Sequence, residues 1–292
     1  MDDRIFYCAV SLLSACSWAF GAILWGRLGS RLTSYGMNLA KTGIGGLYLG
    51  AVLLLSGMEP IPARSLLFLA ASGILGIAIG DTFFFKALKL LGPRRASLMG
   101  ALNPVAIAVA AAVALGERPS PAAWTGIGAT TAGVGLVMWE RSPGDRGTAL
   151  PSGVRWGLLS VLCTAGAVLL AKVGVDSAPT VPAAWIRLLA GFAGLLLWGI
   201  GRQDRGDGLS PFRSGRLCVQ VAAIVAIVVF GGFWLSLVAL KHIDASIAGA
   251  LNATGPLFIL PMSAVVMNEK ITPRAVLGTG IAVGGVALLL RG

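Results

Sequence analysis

Nearly every stretch of this chain long enough to form a structural element is also apolar enough to cross a bilayer. Apolar runs lie near residues 5–26, 34–56, 65–86, 95–115, 122–139, 154–175, 180–200, 216–240, 246–267 and 273–290. Each is close to the roughly 20 residues that an α-helix needs to span a hydrocarbon core. The connections are short, so no soluble catalytic domain fits between the runs. Lipid offers no partner for backbone N–H and C=O groups, so runs of this length are expected to be helical. The reading is an all-α polytopic membrane protein with ten transmembrane helices. Charged residues make up 12% of the 292 positions, against about 25% in soluble domains.

A formal net charge of +11 would point to nucleic acid in a soluble protein. Here the Lys and Arg residues stand mostly in turns beside apolar runs, where they anchor and orient the chain in a membrane. The expected surroundings are therefore lipid, with no nucleic-acid partner. Cys8, Cys16, Cys163 and Cys218 all fall inside apolar runs and read as small packing residues. His242, the single histidine, is expected at the surface and cannot build a zinc set alone. No metal or cofactor is implied, and a monomer is the simplest assembly. Leu13-Ser14-Ala15-Cys16 resembles a lipoprotein processing site, but Asp2 and Asp3 stand where a positive leader belongs, so an uncleaved first span is expected.

The runs repeat. Shifted by 152 positions, Gly80, Leu88, Lys89, Ala96, Pro104, Glu117, Pro121, Gly126, Gly128 and Gly133 fall on Gly232, Leu240, Lys241, Ala248, Pro256, Glu269, Pro273, Gly278, Gly280 and Gly285. Residues 1–139 form one five-helix copy, 140–153 a polar hinge loop, and 154–292 the second copy. An odd number of crossings per copy makes the second enter the membrane from the opposite side, which relates the copies by a two-fold axis in the membrane plane. Pro104 and Pro256 are predicted in mid-helix, where each removes a donor and frees backbone carbonyls. Such breaks persist in a membrane where they face protein or a watery cavity, so the pair marks helix-break or gating positions beside a transport site.

The polar residues inside the runs are few. Asp81 is the one carboxylate well inside a run, and burying it charged requires an ion pair, protonation or cavity water. An ion pair with Lys41 or Lys86, a contact with a substrate amine and a role as proton carrier all remain open. Lys41 is expected to snorkel toward the surface. Arg187 falls near the matching position of the second copy, and that repetition favours an interior role such as binding a carboxylate or fixing the helix ends. Asn103 and Asn252 each precede a proline region, where an amide satisfies loosened backbone or meets a solute. With Thr164 and Thr254 they complete the polar set. Trp18, Phe84, Phe85, Trp185 and Trp234 would supply apolar walls, suited to amphipathic solutes. No Gly-x-x-x-x-Gly-Lys-Ser/Thr loop is present, so energy is expected from gradients of the solute or of protons. No catalytic residue is assigned, because paired carboxylates, a metal set and an activated nucleophile are all missing from the pattern.

Gly80-Asp81-Thr82-Phe83-Phe84-Phe85-Lys86-Ala87-Leu88, Ala96, Asn103-Pro104, Leu115-Gly116-Glu117-Arg118 and Pro121 resemble the repeat of the drug/metabolite transporter superfamily, EamA type. Ala239-Leu240-Lys241, Ala248, Pro256, Asn268-Glu269-Lys270 and Thr272-Pro273 resemble its second copy. The resemblance implies two inverted five-helix repeats around a central cavity lined by the first, third, fourth, sixth, eighth and ninth helices. It also implies small metabolites as cargo, in a multi-pass protein of the cell inner membrane. Some bacterial members export amino acids, so an exporter of amino acids, aromatic or other neutral ones, or of similar metabolites is the leading expectation. A drug or nucleotide-sugar carrier is the alternative, with an intramembrane enzyme or a non-transporting scaffold further away. Six Lys and Arg lie on the side of both termini and fifteen on the other, which favours termini outside the cytoplasm, whereas family habit places them inside.

Overall fold

The computed structural model describes residues 2–28, 32–100, 102–138, 150–200, 214–255, 257, 258, 262 and 272–291. The helices are α1 (Asp2–Leu28), α2 (Ser34–Ser56), α3 (Ala63–Ser72), α4 (Asp81–Gly100), α5 (Asn103–Ala114), α6 (Pro121–Met138), α7 (Leu150–Asp176), α8 (Thr180–Trp198), α9 (Gly215–Ala226), α10 (Leu235–His242), α11 (Ala245–Asn252) and α12 (Pro273–Arg291). Two π-helical segments, Gly73–Gly80 and Ile227–Trp234, join α3 to α4 and α9 to α10 without a break. Among the described residues, six helical stretches are long and apolar enough to cross a membrane: Asp3–Trp25, Ser34–Ser56, Ala63–Leu88, Pro151–Asp176, Thr180–Trp198 and Gly215–His242. Leu47, Leu54, Leu55 and Val113 are largely exposed, as lipid-facing side chains are.

Local chemistry fixes the helix ends. Thr33 accepts a hydrogen bond from the Gly36 N–H at 3.0 Å and starts α2. Ser120 accepts from the Ala123 N–H at 3.1 Å, with Pro121 in the first helical position of α6, where its missing donor costs nothing. Gly57 ends α2 at φ 84° and Gly116 turns the chain after α5 at φ 68°, a region that favours glycine.

The core forms where small residues let helices from opposite halves approach closely, and the contacts recur with the halves exchanged. The Ser14 hydroxyl lies 2.7 Å from the Gly232 carbonyl, and the Ser160 hydroxyl 3.0 Å from the Gly80 carbonyl. Ser14 and Ser160 are 146 positions apart, Gly80 and Gly232 152. Gly133 of α6 sits on the backbone of Gly278 and Ala282 in α12, while Gly285 of α12 sits on the backbone of Gly126 and Thr130 in α6. Ile107 of α5 packs over Gly249 of α11, so the helices that follow the two repeated basic turns are direct neighbours.

Several expectations change. The run 95–115 is divided just ahead of Pro104, between the end of α4 at Gly100 and the start of α5 at Asn103, so Pro104 stands in the first turn of α5, where its missing N–H breaks no intrahelical bond. Pro256 lies outside the described residues. Leu150 to Gly153, assigned to the hinge, are already helical because α7 begins at Leu150; residues 139–149 lie outside the described set. The basic turn near Arg94 is helical backbone, but α4 doubles back there. Gly80 faces Cys163 of α7, Leu91 faces Gly153, and Met99 returns to Gly157.

Candidate functional site

A charged cluster inside the protein is built by α2, α4, α8 and the second π segment. α2 and α8 run antiparallel: Gly43 faces Phe192, Gly46 faces Leu189 and Gly50 faces Trp185. In that register the Arg187 backbone is level with Tyr48, about 10 Å from the level of Lys41 at 1.5 Å per residue. The Arg187 side chain spans the gap, because its Cζ lies 4.8 Å from the centroid of the Phe233 ring. α2 also runs antiparallel to the second π segment, with Gly45 against Val229 and the Tyr48 hydroxyl donating to the Ala222 carbonyl at 3.0 Å, which sets Phe233 near Lys41.

Lys41 does not snorkel. It is 6% exposed and forms an ion pair with Asp81, the first residue of α4. The Asp81 side chain keeps 35% of its exposure, so the pair is open on the carboxylate side. Of the two pairings open in the sequence, Lys41 is the one formed; Lys86 instead lies over the Trp156 ring, its Nζ 4.2 Å from the centroid. Arg187 is 8% exposed, its charge interacts with Asp81, and its Nε has no hydrogen-bond partner among the described residues. One turn before Lys41, the fully buried Asn38 donates to the Ile77 carbonyl at 2.8 Å and leaves its own Oδ1 unpartnered.

The other sequence candidates disperse. The Trp18 ring stacks on the bare Cα of Gly232, where a Cβ would stand 3.0 Å from the indole. Thr164 follows Cys163 on α7, its backbone nitrogen 3.9 Å from where a Cβ on Gly80 would stand. Phe85 is buried and Phe84 half-buried, their rings 6.0 Å apart. Trp234 donates to the Thr180 hydroxyl at 3.2 Å. Asn103 keeps a buried, unpartnered Oδ1. Asn252 is tied to its neighbours: its amide donates to the Ser11 hydroxyl at 3.2 Å and the Ala248 carbonyl at 3.3 Å, and its Oδ1 lies 3.0 Å from the Ser14 hydroxyl. Thr254 is buried and donates to the Leu251 carbonyl at 2.7 Å. Trp185 points away from Arg187, since residues two apart do not share a helix face. Its indole donates to the Gly46 carbonyl at 3.0 Å and lines an edge cleft of about 730 Å³ with Met58, Pro60 and Leu189.

Sequence reading left Arg187 and Phe233 out of the candidate set. The available signal was Arg187 itself, a cation held inside an apolar run at the counterpart of Lys41: the two are 146 positions apart, the same interval as Ser14 and Ser160. Glu117 recurs as Glu269 in the second copy, but its partner could not be foreseen. Its carboxylate accepts from the Ala245 N–H at 2.8 Å, the Ser246 N–H at 3.2 Å and the Ser246 hydroxyl at 2.9 Å, capping α11 in the other half of the chain. The same face holds Lys172 donating to the Leu240 and Ile243 carbonyls, Lys241 donating to Ala178, and Tyr7 stacked on the exposed His242 at 3.8 Å.

Apolar membrane-crossing helices with a charged cluster in their interior are the architecture of a polytopic membrane protein built to handle something polar within the bilayer. The chain belongs to the EamA-like transporter family, whose model matches residues 5–139 and again 151–291. That family is part of the drug/metabolite transporter superfamily, so the protein is a multi-pass membrane transporter and not an enzyme. It is 24% identical over 286 residues to a protein of Archaeoglobus fulgidus described as an uncharacterized transporter, covering 96% of both chains. A crystal structure with 21% sequence identity superposes with a TM-score of 0.78 over 99% of this chain and 96% of the other, a likeness of fold.

Proposed function

We propose that the protein is a secondary exporter of amino acids or similar small metabolites in the cell inner membrane, working by alternating access between two inverted five-helix repeats. Residues 1–139 and 154–292 are the repeats, making ten spans, and the solute is held between them. The observation that carries this reading is the charged cluster of Lys41, Asp81 and Arg187, its two cations buried where α2, α4 and α8 meet the second π segment. Charges deep in apolar helices are costly to keep and are usually retained for passage of a polar solute. Contacts that recur with the halves exchanged support the two-fold relation of the repeats. Trp18, Phe84, Trp234, Asn103 and Thr164 line the route on this reading, and Asn252 and Thr254 hold α11 in place beside it.

The test is counterflow of radiolabelled amino acids into proteoliposomes. Wild-type protein should accumulate label above protein-free vesicles, and Asp81→Asn should lose most of that flux. Folded wild-type protein that moves neither amino acids nor related small metabolites would end the exporter reading. Unchanged flux in Asp81→Asn would remove the cluster from the route while leaving transport intact.

A further inference from the structure

The charges of the central cluster do not cancel. Lys41 and Arg187 are both cations with less than a tenth of their surface exposed, and Asp81 is the one carboxylate among the described residues whose charge reaches Arg187. Asp81 is already engaged by Lys41. Among the described residues, the Phe233 ring lies beneath the Arg187 guanidinium and its Nε–H meets no acceptor. A cation in a low-dielectric interior needs a counter-charge and hydrogen-bond acceptors, and an aromatic face supplies neither in full. The missing partner is therefore an anion. A guanidinium fork fits a carboxylate in a bidentate, planar way that a lysine cannot match.

We infer that Arg187 receives the carboxylate of the transported solute, and that the preferred solute is an organic anion whose negative charge is not offset by an ammonium group. This rests on the reading of the cluster as the solute site and narrows it. A zwitterionic amino acid would bring its ammonium to a site whose only acid is held by Lys41 and would leave the excess positive charge in place. An organic monocarboxylate cancels it. The aromatic face of Phe233 lies under the same guanidinium and stiffens it in position for the incoming anion.

The inference is tested with three solute pools matched in carbon skeleton, aliphatic and aromatic: monocarboxylates, the corresponding amino acids, and the corresponding amines. Each pool is used in counterflow with the full-length protein in liposomes. The carboxylate pool should be carried about tenfold or more faster than either other pool, the scale expected for one hydrogen-bonded charge contact. Arg187→Gln should abolish that preference, and Arg187→Lys should keep the preference for anions while weakening carboxylate binding. The comparison in wild-type protein does not depend on either variant folding. Amino acids or amines carried as fast as carboxylates would overturn the charge argument and leave the exporter reading standing. Carriage of no pool by folded protein would overturn both. Preference for carboxylates that persists in folded Arg187→Gln would show that another group reads the anion.

Discussion

Two pairs of repeated glycines in α6 and α12 separate packing from composition. Gly133 and Gly285 occupy equivalent positions, as do Gly128 and Gly280, with 152 residues between the members of each pair. A Cβ on Gly133 would stand 2.5 Å from the Ala282 nitrogen and 2.6 Å from the Gly278 oxygen; on Gly285 it would stand 2.6 Å from the Thr130 nitrogen and 2.8 Å from the Gly126 oxygen. These are backbone atoms, which cannot swing aside as a side chain would. Moving from 2.5 Å to the 3.4 Å of ordinary contact requires α6 and α12 to part by about 0.9 Å. Overpacking a tight interface costs about 1–3 kcal/mol, so Gly133→Ala and Gly285→Ala should each lower unfolding stability by about 2 kcal/mol. The double variant should lose less than the sum, because the first methyl already separates the helices for the second. Alanine at Gly128 or Gly280 meets no described atom within 4 Å and should change stability by less than about 0.5 kcal/mol. Unfolding in mixed detergent micelles, followed by tryptophan fluorescence, measures all five variants. Equal effects at all four single sites would refute the packing argument, and a large effect at only one of Gly133 and Gly285 would refute the exchange of contacts between the halves.

Three further outcomes follow from the site. Asp81→Asn should destabilise more than Lys41→Met, by about 3 against about 1 kcal/mol, because removing the acid strands a side chain that is 7% exposed while removing the lysine strands one that is 35% exposed; the same micelle titration checks the order, and the reverse order would refute it. Glu117→Ala should cost about 1–2 kcal/mol through loss of the α11 cap, with Glu117→Gln losing less; hydrogen exchange at the Ala245 and Ser246 amides should accelerate, and unchanged protection would refute the cap. Asn252→Ala should loosen α1 from α11 without altering solute preference; a changed preference in counterflow would place the amide on the solute instead.

Much of the architecture was written in hydrophobic run length and in the duplicated glycines, because spanning a bilayer and packing two backbones closely each restrict composition strongly. The Lys41–Asp81 pair was visible as one of two pairings open to Asp81; choosing between them needed the rotation of α2 about its axis, which a run of small apolar residues does not specify. Arg187 was underweighted for a related reason. Its backbone is level with Tyr48, and only the length and direction of its side chain carry the guanidinium to Phe233. The two π segments left no mark in the sequence, since GILGIAIG and IVVFGGFW read equally well as α-helix. Pro104 marks the start of α5 rather than its middle, because an apolar run does not reveal where one helix stops and the next begins.

The π segments and the glycine crossings give the two halves different kinds of contact. A π turn widens the helix and draws its carbonyls out of line, and Gly80 and Gly232, within these segments, accept hydroxyls from Ser160 and Ser14 across the boundary between halves. Each such bond contributes about 1 kcal/mol net, and a serine hydroxyl exchanges one acceptor for another by a single rotation. The α6–α12 crossing rests on backbone contact at Gly133 and Gly285, which has no comparable alternative arrangement. Alternating access, as proposed, needs surfaces that slide and a frame that does not. The contacts of α1 with the second π segment and of α7 with the first have the character of the sliding surfaces, and α6 with α12 that of the frame. The charged cluster sits where the rod containing the second π segment meets α2, α4 and α8, so on the proposed mechanism a shift of that rod would move Phe233 relative to Arg187 and change the support of the guanidinium.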